Sequence, residues 1–145
     1  MARLLTKALA AGGFEPHLAS EVRTFDGQGD RAAQEAVKAR SEAEASSLLA
    51  RYRSLPSAER PRLWFTYHVY YKAPDWIGPS VAGALGIPYV VAEGSRAGKR
   101  AGGPWALGHA GAEAALDRAD LVFVVAPQDR VALERARPPR QALVD

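Results

Sequence analysis

The chain has 145 residues, enough for one domain, with 48% hydrophobic and 24% charged residues, the proportions of a folded globular protein. That balance excludes wholesale disorder, collagen-like repeats and coiled coils. The net charge of +3 is too small to argue for a nucleic-acid partner, and the absence of cysteine excludes disulfides, thiolate zinc sites and a cysteine nucleophile.

Met1 to Ala11 reads as a short helix, with Leu4, Leu5, Ala8 and Leu9 as its apolar stripe and Gly12-Gly13 as its terminator. Phe14 to Ser20 reads as a strand in spite of Pro16, and Val22 to Phe25 as a second, shorter one. Asp26 to Asp30 is a turn, and Asp30 is placed to cap a long Ala-rich helix from Arg31 to Arg53. Pro56 and Pro61 bracket a polar linker.

The pattern then changes. Leu63 to Tyr67 is a compact aromatic strand, and Asp75 to Leu85 a short helix ended by Gly86. Tyr89 to Ala92 is the next strand, followed by a Gly-, Lys- and Arg-rich loop from Gly94 to Gly103. Pro104 opens a helix to Ala119. Leu121 to Ala126 is a near-continuous apolar run of the kind parallel strands show. Pro127 to Ala136 is a helix, and Gln141 to Val144 a last strand.

Strands alternating with helices predict an α/β fold: a single Rossmann-like domain over 1–145 with a doubly wound parallel sheet. A strand and a Gly-rich turn normally come first in such folds; here a helix does, so the sequence reads as lacking its first strand. In the usual strand order the lost strand would sit between Phe14–Ser20 and Leu63–Tyr67, leaving both with an open edge. No apolar run approaches the roughly 20 residues of a membrane span, and Lys7 interrupts the N-terminal stripe. The expectation is a cytoplasmic protein with no integral membrane segment.

Ligands of open α/β sheets bind beyond the carboxyl ends of the strands, where two loops carry chemistry. His68 to Asp75 packs His68, Tyr70, Tyr71, Lys72 and Asp75 together, as a sugar-ring or aromatic ligand site would; a ring-rich loop covering the sheet end has the same composition. Glu93 to Gly103 places Ser95, Arg96, Lys99 and Arg100 among glycines ahead of a helix N-terminus. Such a place suits phosphate, carboxylate or sugar hydroxyls, although a solvated loop reads similarly. Glu93 can act as a base, ligate a hydroxyl, or pair with Lys99 or Arg100. His109 can reach the mouth of the site or sit against Trp105. The spacing is not that of a P-loop.

The run RLWFTYHVYYKAPDWIGPSVAGALGIPYVVAEGSRAGKRAGGPW resembles the N-terminal domain of bacterial GT-B glycosyltransferases of the family 4 type. ALAAGGFEPHLAS is similar to that domain's early helix and second strand, and RADLVFVVAPQD to its closing strand and helix. The resemblance implies the acceptor-side half of a retaining enzyme that moves a sugar from a nucleotide-sugar donor to an acceptor. The donor would be held mainly by a second Rossmann-like domain, with no metal and no cofactor called for. By position, Glu93 and His68 become the catalytic candidates. Tyr70, Lys72, Asp75, Ser95, Arg96, Lys99, Arg100 and His109 become the substrate-binding ones. Many members carry a histidine where this chain has Glu-Gly-Ser-Arg from Glu93 to Arg96, so that histidine has no counterpart here. On this resemblance the chain is expected to be a fragment of such an enzyme, inactive alone. Two other readings fit the residues: a stand-alone module for a phosphorylated or nucleotide ligand, and an interaction piece built on Trp64, Trp76 and Trp105.

Overall fold

A computed structural model describes residues 2–145. Helix α1 (Ala2–Ala11) stops where its glycine pair dictates. Gly13 adopts φ +86°, which turns the N–H groups of Gly13 and Phe14 back onto Ala10 O and Leu9 O at 3.0 and 3.1 Å, closing the helix end.

From Gly12 to Asp30 the backbone is neither helix nor strand. Two expectations are thereby corrected: Phe14 to Ser20 and Val22 to Phe25 are not strands. A strand exists only by pairing, and nothing pairs with this segment; Pro16 also lacks a donor. Phe14, Leu18 and Phe25 remain exposed, while Ala19 and Val22 touch the margin of the core.

Helix α2 (Arg31–Ser54) begins as read: the Asp30 carboxylate accepts from the N–H groups of Ala32 and Ala33 at 2.9 and 3.1 Å. It buries Gln34, Ser41, Ala45 and Leu48, a spacing of sevens, fours and threes that puts them on one face. The chain then alternates through β1 (Trp64–Val69), α3 (Gly78–Leu85), β2 (Tyr89–Gly94), α4 (Ala106–Arg118), β3 (Leu121–Phe123), α5 (Pro127–Ala136) and β4 (Ala142–Val144). The four strands form one all-parallel sheet in chain order, β1-β2-β3-β4. The fold is α/β and Rossmann-like.

Several boundaries differ from the sequence reading: β1 and β2 run on to Val69 and Gly94, α4 starts at Ala106, and two further shifts have a visible reason. Helix α3 starts at Gly78 rather than Asp75, because Asp75 is spent on the turn that leads into it: its Oδ1 accepts from Ile77 N–H and Gly78 N–H at 2.9 and 2.7 Å. Strand β3 stops at Phe123 rather than Ala126, because β4 reaches only Val144, the register partner of Phe123.

Right-handed crossovers between strands in this order put α3, α4 and α5 on one face of the sheet. The core lies there, with Tyr89, Val91 and Val122 packed among Val81, Ala112, Leu116 and Leu133, and with Ala45 and Leu48 of α2 behind. The opposite face is covered more thinly. Leu5, Ala8 and Leu9 of α1, with Phe14, stand across a groove of about 540 Å³ from Phe65, Ala92 and Phe123. Phe123 and Val125 are partly exposed on that side. Among the described residues, no helix is long and apolar enough to cross a membrane.

Candidate functional site

At the carboxyl ends of β1 and β2 the backbone does the same unusual thing twice. His68 and Glu93 have φ of +65° and +64°, a left-handed conformation that costs an L-residue roughly 1–2 kcal/mol. The register brackets them, with Tyr67 opposite Ala92 and Val69 opposite Gly94, so the two are cross-strand neighbours. The alternation of faces slips by one in both strands. Trp64, Tyr89 and Val91 point to the core, and after the slip so does Val69. Gly94 follows: a Cβ there would stand 2.5 Å from Leu116 Cδ2, so a larger residue would have to displace that buried side chain. The ladder survives the slip, with Ser95 N–H donating to Val69 O at 3.0 Å. Paired strain of this kind collects at binding and catalytic sites.

The side chains around this step form a row of rings. Tyr67 meets His68 edge-on at 5.6 Å between centroids, and His68 stacks on Tyr70 at 4.6 Å. Tyr70 meets Tyr71 at 5.5 Å, and Tyr71 meets Trp105 at 5.8 Å, both edge-on. Such edge-to-face contacts are the favoured geometry of aromatic pairs. Two cations lean on the far end of the row. Lys72 Nζ lies 5.0 Å from the Trp105 ring centre and 5.8 Å from that of Tyr71. Arg100 Cζ lies 5.2 Å from each of the same two rings.

A turn from the N-terminal region locks this arrangement. Asp26 N–H donates to Lys72 O at 2.8 Å, and Trp105 Nε1–H donates to Asp26 O at 3.1 Å. Gln34, buried on α2, donates to Asp26 Oδ2 and to Pro104 O at 2.6 and 2.8 Å. Its Oε1 accepts from Gly108 N–H at 3.1 Å, serving the first turn of α4 from another helix. Burial tends to raise the Asp26 carboxyl, but hydrogen bonds from Gln28, Gln34, Gly29 and Asp30 outweigh it and hold the group below its ordinary value. The β1–α3 and β2–α4 loops are thus tied together through residues 26–34.

The ten sequence candidates separate into groups. His68, Tyr70, Lys72 and Arg100 lie along the ring row, and Glu93 beside it. The Glu93 carboxylate accepts the Tyr67 hydroxyl; that hydrogen bond first, then burial and the nearby negative charge, raises the Tyr67 phenol. Burial, with Tyr71 alongside, raises Tyr70 as well.

Asp75 faces inward. Its Oδ2 accepts from Thr66 Oγ1 and the Tyr89 hydroxyl at 2.6 and 2.8 Å, so both oxygens are occupied inside the protein. Arg96 is equally committed, pairing with Glu113 and Asp117 of α4 at 2.5 and 2.7 Å with 6% of its side chain exposed. Ser95 Oγ donates to Asp129 at the start of α5, at 2.7 Å. His109 turns along α4 toward Glu113, 3.7 Å away. Lys99 is exposed on the 3-10 turn Gly98–Arg100. Trp64, offered as a surface tryptophan, is core.

Sequence reasoning undervalued Tyr67, Tyr71 and Trp105, which join the row end to end. Trp105 was legible as the aromatic closing the Gly-rich loop at the mouth of a helix. Gln34 carried no signal, being one polar residue in a polar helix. Among the described residues, no group of three or more His, Asp or Glu is placed to hold a metal ion. No protein-family model matches the chain, and no curated protein matches it significantly.

Proposed function

We propose that the chain is the acceptor-side domain of a retaining glycosyltransferase of the GT-B type, binding a sugar acceptor on the ring row at the carboxyl ends of β1 and β2. The nucleotide-sugar donor would be supplied by a second, facing domain. The observation that carries this reading is the row itself: Tyr67, His68, Tyr70, Tyr71 and Trp105 in unbroken contact over two loops. Ring faces offer apolar surface to the C–H side of a pyranose, while His68, Glu93 and the phenols offer hydrogen bonds to its hydroxyls. Glu93 and His68 stand at the step where the backbone is strained, and Glu93 is the group with a carboxylate to accept an acceptor hydroxyl's proton. The resemblance of Arg62 to Trp105 to the family's acceptor domain agrees in position with this surface.

Saturation-transfer NMR on the purified chain with a panel of hexoses tests the proposal. Transfer to sugar protons is expected in the native protein and is expected to fall at least about tenfold in Tyr71→Ala and Trp105→Ala variants that still melt cooperatively. Absence of transfer to any sugar, or equal transfer in native and variant proteins, overturns it.

A further inference from the structure

Among the described residues, five arginines face a carboxylate. Arg31 pairs with Glu35, Arg96 with Glu113 and Asp117, Arg118 and Arg140 with Asp120, and Arg130 with Glu134. Lys72 and Arg100 are different. Both lean on the same indole, 5.0 and 5.2 Å from its centre, so they stand within roughly 10 Å of each other, close to one Debye length. Among the described residues neither forms an ion pair. The acids nearest in the chain are engaged elsewhere, Asp75 with Thr66 and Tyr89, Glu93 with Tyr67 and Glu113 with Arg96, and Asp26, whose backbone bonds Lys72 O, is occupied within its own turn. Arg100 Nε is moreover buried without any hydrogen-bond partner, a cost that native folds rarely leave uncompensated.

We infer that the acceptor carries a phosphate group, held between the Lys72 ammonium and the Arg100 guanidinium at the Trp105 end of the ring row. This inference rests on the sugar-binding reading above and adds the class of sugar. Two like charges sharing one ring repel, and the ring faces offset only part of that. A phosphate monoester, with close to two negative charges near neutral pH, matches the pair in charge. The rings hold the cations by their faces and leave the N–H donors free for anionic oxygens. The glycines flanking Arg100 leave its loop uncrowded: a Cβ placed at Gly98, Gly102 or Gly103 would meet nothing within 4 Å. A carboxylate sugar shares the chemistry with half the charge, and the test distinguishes the two.

NMR titrations compare hexoses, the matching hexose 6-phosphates, glucuronate and inorganic phosphate on the native chain and on Lys72→Gln, Arg100→Gln and Lys99→Gln. Neither Lys72 nor Arg100 has a side-chain hydrogen bond in the fold; Lys72 serves it only through its backbone carbonyl, so the variants are expected to melt like the native protein. Hexose phosphates should bind at least about tenfold more tightly than hexoses, and more tightly than glucuronate. Each of Lys72→Gln and Arg100→Gln should weaken the phosphates about ten- to a hundredfold and the hexoses by at least about tenfold less than that, while Lys99→Gln should change neither. Without any variant, raising salt from about 50 to about 500 mM should weaken the phosphates most, glucuronate less and the neutral hexoses not at all. Equal binding of hexose and hexose phosphate, or tighter glucuronate, overturns the inference and leaves the sugar reading standing. Inorganic phosphate binding as tightly as the hexose phosphates overturns it too, since the anion would then be held without a sugar. If neither hexoses nor their phosphates bind, both readings fall.

Discussion

Residues 64–144 and residues 12–30 both carry large apolar side chains, densely in the first and sparsely in the second, and one segment builds a sheet while the other stays irregular. In the first, each strand has a parallel neighbour and each crossover helix brings its own cover. Tyr89, Val91, Leu116, Val122 and Leu133 accordingly lose all contact with solvent. In the second, Phe14, Leu18 and Phe25 stay exposed, and the segment is fixed instead by polar ties through Asp26 to Lys72 and Trp105. Apolar content alone does not make a strand; a partner with free backbone groups does. The same contrast separates the two faces of the sheet, one closed by helices and one facing a groove under α1.

The largest test of that contrast is a matched pair of core deletions. Leu116→Ala should destabilise the chain by about 2–5 kcal/mol, because the surrounding helices cannot collapse into the space. Leu9→Ala, on the wall of an already open groove, should cost under about 1 kcal/mol. Urea denaturation of both variants measures the difference; equal losses would mean that α1 is as much part of the core as α4. Gly78→Ala belongs with the large effects. A Cβ there would collide with the Asp75 carboxylate and stand 2.6 and 2.7 Å from Trp64 Nε1 and Tyr89 Cε2, and overpacking of this kind costs about 1–3 kcal/mol.

Next in size is the polar knot that Gly78 covers. Burial first, then the Asp75 charge and hydrogen bond, hold the Tyr89 phenol well above its usual value, so it stays a donor throughout the accessible pH range. Tyr89→Phe removes one of the two side-chain donors to Asp75 Oδ2 while Thr66 remains. A loss of about 1–2 kcal/mol is expected, and an unchanged denaturation midpoint would show the bond to be dispensable.

These contrasts also explain what the sequence could and could not convey. The βα alternation from Leu63 onward was legible because hydrophobic runs, the capping aspartate at Asp30 and the glycine at Gly86 are local signals. The false strands at Phe14–Ser20 and Val22–Phe25 had acceptable local patterns; whether they paired depended on a neighbour that no local pattern reveals. At the candidate site, composition pointed to the two loops that meet along the ring row but not to the contacts within them. Asp75 and Arg96 looked like ligand contacts because they are charged residues in a promising loop. Their charge is consumed by Tyr89, Thr66, Glu113 and Asp117, which lie 9 to 21 positions away. The left-handed backbone at His68 and Glu93 left no trace, since neither residue type announces a positive φ as glycine does.

A smaller effect separates the polar ties from the packed half by pH. The Asp26 carboxyl lies below its ordinary 3.8 in the folded chain, so its contribution is complete above that value and is lost as pH falls through the folded value beneath it. Acidification should therefore loosen the tie to Trp105 before the sheet melts, visible as a Trp fluorescence change that precedes the far-ultraviolet signal. Asp26→Asn should remove that early step. A single coincident transition in the native chain would mean the turn is not an independent unit.

The smallest expected effect is the most informative about the site. His68→Gly and Glu93→Gly each relieve about 1–2 kcal/mol of left-handed strain, while the freer unfolded chain of glycine takes back about 0.5–1 kcal/mol. Each variant should come out slightly more stable than the native protein, by something under about 1.5 kcal/mol. His68→Ala and Glu93→Ala remove the same side chains but keep the strain, so they should gain nothing. Stability and binding then part company. The glycine variants should melt higher and bind hexoses less well, since the imidazole stacked on Tyr70 and the carboxylate held by Tyr67 are gone. The slip carries Val69 into the core and Gly94 against Leu116, so the strained step has a packing use beside the role proposed for its side chains, and the two are separated by comparing stability with binding. If both glycine variants prove less stable than their alanine counterparts, the left-handed step is not strained, and the argument that singles out His68 and Glu93 loses its physical basis.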